Sequence, residues 1–141
     1  MPQTGVMSDE RDDAESDRLL EIAEAVFDMA RSGDTPRLEA YLEAGTPVDL
    51  TNAKGDTLLM LAAYHGHAET VSMLLRRGAD PQRANDRGQT PLAGAVFKAE
   101  DAVVEALLAG GADPSAGTPS AEATARMFGQ DRYLEWFAAD R

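Results

Sequence analysis

A glycine returns every 33 residues along this chain and brings its neighbourhood with it. Gly45, Gly78 and Gly111 close the stretches Tyr41-Leu42-Glu43-Ala44, Leu74-Leu75-Arg76-Arg77 and Leu107-Leu108-Ala109-Gly110. Gly33 and Gly66, Gly55 and Gly88, Asn52 and Asn85, Thr57 and Thr90, and Leu59 and Leu92 are also 33 apart. Registers that stay in phase at this period specify a stacked-repeat architecture, in which each unit buries its apolar face only against its neighbours. Such a stack presents an extended surface, so the expected ligand is another macromolecule.

The 141 residues suffice for one domain of three or four such units plus a tail. Ala and aliphatic residues dominate while aromatics make up 6%, a composition for thin helical layers in close contact. The formal charge is −12 and the sequence pI about 4.4, with Lys54 and Lys98 the only lysines. An acidic chain repels phosphate backbones, so no nucleic acid is expected, and the favoured partner is a protein with a basic patch. The absence of Cys excludes disulfides, thiolate catalysis and Cys-ligated zinc. The longest apolar run, 58–64, is too short to cross a bilayer. The acidic N-terminus lacks the basic-then-apolar order of a secretory signal. A cytoplasmic monomer without a membrane partner is the expectation.

Residues 1–17 hold Asp9, Glu10, Asp12, Asp13, Glu15 and Asp17 against Arg11 and few apolar groups. They read as a disordered acidic arm that solvates the chain or engages a basic surface. Helical apolar spacing begins at Leu19 and Leu20 and continues through Ile22, Ala23, Val26, Phe27 and Ala30. The period then divides residues 18–141 into an N-terminal unit 18–51, units 52–84 and 85–117, and a C-terminal cap 118–141. In the second unit Thr57 is placed to cap a helix over 58–65. Gly66 makes the turn, a helix over 68–77 returns with Val71, Leu74 and Leu75 facing inward, and Gly78 ends it in the left-handed conformation. In the third, Thr90-Pro91 opens a helix where proline's missing amide is not needed, and a helix over 102–109 returns to Gly110-Gly111. Pro81 and Pro114 prevent continuation.

These residues resemble the ankyrin repeat. The resemblance is carried by Gly55-Asp56-Thr57-Leu58-Leu59-Met60-Leu61-Ala62-Ala63-Tyr64-His65-Gly66-His67 and by Val71-Ser72-Met73-Leu74-Leu75-Arg76-Arg77-Gly78-Ala79-Asp80. Gly88-Gln89-Thr90-Pro91-Leu92, followed by 104–113, repeats the pattern, and the likeness covers residues 20–141. It implies an all-α fold, an ankyrin-repeat solenoid of helix-turn-helix units with β-turn fingers, about three repeats plus a shortened C-terminal capping repeat. Met60 and Ala93 stand where the family favours His, which removes a Thr–His network and predicts weaker coupling between units. Ala99 stands in register with Gly33 and Gly66. Phe128-Gly129 follows His65-Gly66 by 63 residues rather than 66, so the last unit is three residues short. Terminal repeats differ because they cover the stack end.

His65 and His67 flank Gly66 and are the only histidines, but a metal would need further ligands that nothing supplies. His67 matches the family's structural Gly-His turn. Acid–base catalysis needs a carboxylate pair in an enclosed pocket, and no phosphate-cradling Gly loop with its Lys is present. No catalytic residue, metal or cofactor is assigned, and the chain reads as non-enzymatic. By register, the ends of the first helices line the concave face: Arg31 and Ser32, Tyr64 and His65, Phe97 and Lys98, Met127 and Phe128. Tyr64 and Phe97, one unit apart, are expected to stack as neighbours and anchor a partner. Met127 and Phe128 are read into the terminal cap, with Tyr133, Trp136 and Phe137 as its core. The fingers add Lys54 and Asp56 from one unit and Asp86, Arg87 and Gln89 from the next, a mixed-charge rim. Non-catalytic protein binding through the concave face and fingers is the expected function, and occlusion of a partner enzyme is the alternative use of that surface.

Overall fold

Capping hydroxyls set the phase of the stack. In this structure, a computed structural model describing the backbone of residues 2–140 and the side chains of 13–139, Thr57 Oγ1 accepts the Met60 amide at 3.0 Å. Thr90 Oγ1 accepts from Ala93 N at 3.2 Å, and Ser120 Oγ accepts from Ala123 N at 3.1 Å. Each cap satisfies an amide that has no partner inside its own helix. Ser120 follows Thr90 by only 30 residues, whereas Pro114 keeps the 33-residue spacing from Pro81. The three missing residues therefore come out of the last finger.

The described residues form eight helices in four successive pairs. They are α1 (Pro2–Ser32) and α2 (Thr35–Glu43), α3 (Leu58–Tyr64) and α4 (Ala68–Arg76), α5 (Pro91–Phe97) and α6 (Asp101–Ala109), and α7 (Ala121–Met127) and α8 (Asp131–Asp140). The first helices α1, α3, α5 and α7 pack in chain order, and α2, α4 and α6 form the second layer. No strand is present among the described residues; Thr51–Thr57 and Gly117–Ser120 are isolated bridges at the finger bases. The inner helices α3 and α5 are buried nearly all round because both neighbours and the second layer cover them. All six residues from Leu58 to Ala63 of α3 are buried, as are all six from Pro91 to Val96 of α5. Ala30, Ala62, Ala63 and Ala95 are fully buried and let the helices approach closely. The core runs unbroken from Val26 to Phe137.

Residues 2–17 continue α1 as helix, and the side chains of residues 1–12 lie outside the described residues. The packed turn around Val26, Phe27 and Ala30 supplies the helix nucleus. Beyond it each added residue gains a hydrogen bond, and no Gly or Pro interrupts residues 6–17.

The Thr–His network is replaced by other ties at every unit boundary. Thr35 Oγ1 and Thr70 Oγ1 share a buried hydrogen bond of 2.7 Å. Arg77 pairs with Glu39 at 3.0 Å and Glu43 at 2.7 Å. The Gln82 amide donates to the Gly111 carbonyl and accepts from Asp113 N, both at 2.8 Å. Arg132 pairs with Asp101 at 2.7 Å, and the Tyr133 hydroxyl donates to the same carboxylate. The Arg132 and Tyr133 bonds hold the Asp101 carboxyl below its ordinary value. The tie is therefore present at neutral and mildly acidic pH and is lost only as pH falls through that lowered value.

Ala99 occupies the helix–helix turn with φ +56°, where Gly33 and Gly66 have φ +74° and +81°. A residue with a Cβ costs about 1–2 kcal/mol there, partly offset by about 0.4–1 kcal/mol from a stiffer unfolded chain. Ala99→Gly is therefore expected to stabilise the fold by about 0.5–1 kcal/mol, seen as a higher urea midpoint. An unchanged or lower midpoint would contradict strain at this turn.

Candidate functional site

The finger turns are built by the two in-phase asparagines. Asn52 Oδ1 accepts from Lys54 N at 2.9 Å and Asp56 N at 3.0 Å. Asn85 Oδ1 accepts from Arg87 N at 3.0 Å and Gln89 N at 3.1 Å. A short amide side chain is the group that satisfies two turn amides at this reach. Neighbouring fingers are then bonded in a row: Asp86 N donates to the Lys54 carbonyl at 3.1 Å and Thr118 N to the Gly88 carbonyl at 2.9 Å. Asn85 Nδ2 donates to Asp56 Oδ1 at 2.9 Å in a buried contact.

Behind this row the first helices end in register, and a groove lies between. One half, about 360 Å³, is surrounded by Arg31, Lys54, His65 and Arg87. The other, about 380 Å³, is surrounded by Phe97, Met127, Phe128 and Pro119. Tyr64, Arg87 and Gln89 line both halves and join them. Met127 is 63% exposed, Phe128 53% and Phe97 46%, so the second half is an open apolar patch.

The groove brings together Lys54, Asp56, Tyr64, His65, Arg87, Gln89 and Phe97 from the expected site, with Lys98 at its edge. Three expectations change. Phe97 pairs edge-on with Phe128 at 5.2 Å, while Tyr64 faces Lys98 Nζ at 5.1 Å and His65 at 5.6 Å, so Tyr64 and Phe97 share the groove without stacking. Met127 and Phe128, read into the terminal cap, are exposed and line the groove with Phe97. Asp56 lines the charged half with its carboxylate buried and bonded to Asn85, and Asp86 is exposed on its finger outside the groove lining, with its backbone tied to Lys54. Of the expected cap core, Tyr133 is fully buried and Phe137 is 2% exposed, while Trp136 is only partly buried against them.

The charge of this face opposes the average of the chain. Lys54, Arg87 and Lys98 have no ion pair among the described residues, and Arg31 is paired with Asp28 at 2.8 Å. The His65 imidazole is held below its ordinary value, first by partial burial and then by His67, Arg31 and Lys98. An inference to a basic partner from the net charge of −12 therefore does not transfer to the groove. His67 is structural: its Nε2 lies 2.7 Å from the Arg31 carbonyl. Among the described residues no three His, Asp or Glu side chains gather as a metal site, and no helix is long and apolar enough to cross a membrane.

Comparison with known proteins agrees with the geometry. The family of ankyrin repeats matches residues 26–118 in three copies. An ankyrin repeat protein of Pseudomonas aeruginosa is 55% identical over 53 residues, 38% of this chain and 31% of that protein. Ankyrin repeat domain-containing protein 29 of Danio rerio is 45% identical over 60 residues, 42% of this chain and 20% of its own length. Human ankyrin repeat family A protein 2 is 38% identical over 64 residues, 45% of this chain and 20% of its own. The chain thus spans a third or less of the length of these relatives. Period, capped helix pairs, finger row and family match converge: the chain belongs to the ankyrin-repeat family, whose members generally serve as protein-interaction modules and are typically not enzymes.

Proposed function

We propose that this protein binds another protein in the groove between its fingers and the ends of α3, α5 and α7, without catalysing a reaction. The observation that carries this reading is the exposed patch of Phe97, Met127 and Phe128 beside Tyr64. A chain whose core already runs from end to end gains no folding energy from these side chains, and exposed large apolar groups in a concave setting mark interfaces. Lys54, His65, Arg87, Gln89 and Lys98 form its polar rim. The bonded finger row holds the surface in place before binding, which limits the ordering cost of association.

The test is capture of a partner from the protein's own cells with wild type and with Tyr64→Ala/Phe97→Ala. Loss of the partner by at least about 100-fold in affinity is expected, because two anchors of about 2 kcal/mol or more are removed. Circular dichroism of the variant should be unchanged. A partner retained at full affinity would overturn the reading, as would unfolding of the double variant.

A further inference from the structure

We infer that the groove selects an acidic segment of its protein partner, with Asp or Glu side chains opposite Lys54 and Arg87 and an apolar side chain among Phe97, Met127 and Phe128. This rests on the groove being the binding surface. The chain carries 25 Asp and Glu against 13 Lys and Arg, yet both of its lysines, Arg87 and Arg31 meet on this one face. The acids nearest to them are otherwise engaged or displaced. Asp56 lines the charged half, but its carboxylate is buried and accepts from the Asn85 amide; Asp28 holds Arg31, and the Glu100 carboxylate sits over Gly66. Asp86 is exposed outside the groove lining.

Acids are the commoner charge, so three cations without ion pairs among the described residues are a specific local arrangement. Arg87 and Gln89 sit where the charged and apolar halves join, so one short segment can reach both. A guanidinium and an ammonium at the rim suit carboxylates, which accept charge-assisted hydrogen bonds. A long polyanion fits less well, because phosphates beyond these cations would face a surface of net charge −12. The groove is matched to a few carboxylates.

The experiment uses the full chain and three fluorescein-labelled hexapeptides, each with a central Leu and Phe flanked by four Glu, four Gln or four Lys. A single-stranded oligonucleotide of ten thymidines is the fourth probe. The Glu peptide is expected to bind at least about tenfold tighter than the Gln peptide at low salt, the weight of one charge-assisted contact. The advantage should shrink as salt rises. Lys54→Glu/Arg87→Glu should reverse the preference toward the Lys peptide, and Lys54→Gln/Arg87→Gln should erase it, both with unchanged melting. Equal affinities, or a preference of wild type for Lys, would overturn the acidic assignment. If those peptides were still lost in Tyr64→Ala/Phe97→Ala, the groove reading itself would stand. Tightest binding of the oligonucleotide, or binding of no probe, would also overturn the assignment.

Discussion

Asn85→Ala is expected to lower the stability of the fold by about 2–3 kcal/mol, most of it from one orphaned carboxylate. Asn85 is 7% exposed and makes three hydrogen bonds, to Asp56 Oδ1, Arg87 N and Gln89 N. Arg87 is exposed and Gln89 half-buried, so the two finger amides can turn to water. Asp56 is buried and loses its side-chain donor. No buried side-chain polar atom among the described residues lacks a partner, so the variant would create the first. Asn52→Ala is the internal control. It removes the same two turn bonds but no link to a neighbouring finger, and should cost about 1 kcal/mol or less. Urea unfolding separates the two; equal losses would contradict the buried finger-to-finger bond as the stabilising contact.

Two aromatics of the last helix pair should behave in opposite ways. Phe137→Ala is expected to cost about 3–5 kcal/mol, since the ring is 2% exposed and its removal leaves a cavity against the stack. Much of a marginal stability of about 5–15 kcal/mol would be lost. Phe128→Ala is expected to cost less than about 1 kcal/mol, because the ring is 53% exposed and its edge contact with Phe97 is its main packing. The same substitution should weaken partner binding. A large stability loss at Phe128 would return that ring to the cap.

The architecture was legible because its determinants are local and periodic. Thr57 and Thr90 cap the helices that their spacing indicates, and Gly45, Gly78 and Gly111 adopt φ of +115°, +92° and +90° after the returning helices. The length of α1 was not legible, because composition describes an isolated segment, whereas a packed nucleus further along extends the helix backward. Asn52 and Asn85 stood in phase, but their role appears only when the finger amides they satisfy are placed.

The groove was read in outline. Register located Tyr64 and Phe97, yet the pairing of Phe97 with Phe128 is set by side-chain packing that spacing does not show. Net charge averages over the chain and does not show the cations that folding collects beside Arg87.

Hydrogen exchange on the chain bound to its captured partner tests the binding face most directly. Slowed exchange is expected in the fingers at 52–56 and 85–89 and in the last turns of α3, α5 and α7, with α4 and α6 unaffected. Protection confined to α4 and α6, with the groove exchanging as in the free chain, would contradict binding through this face.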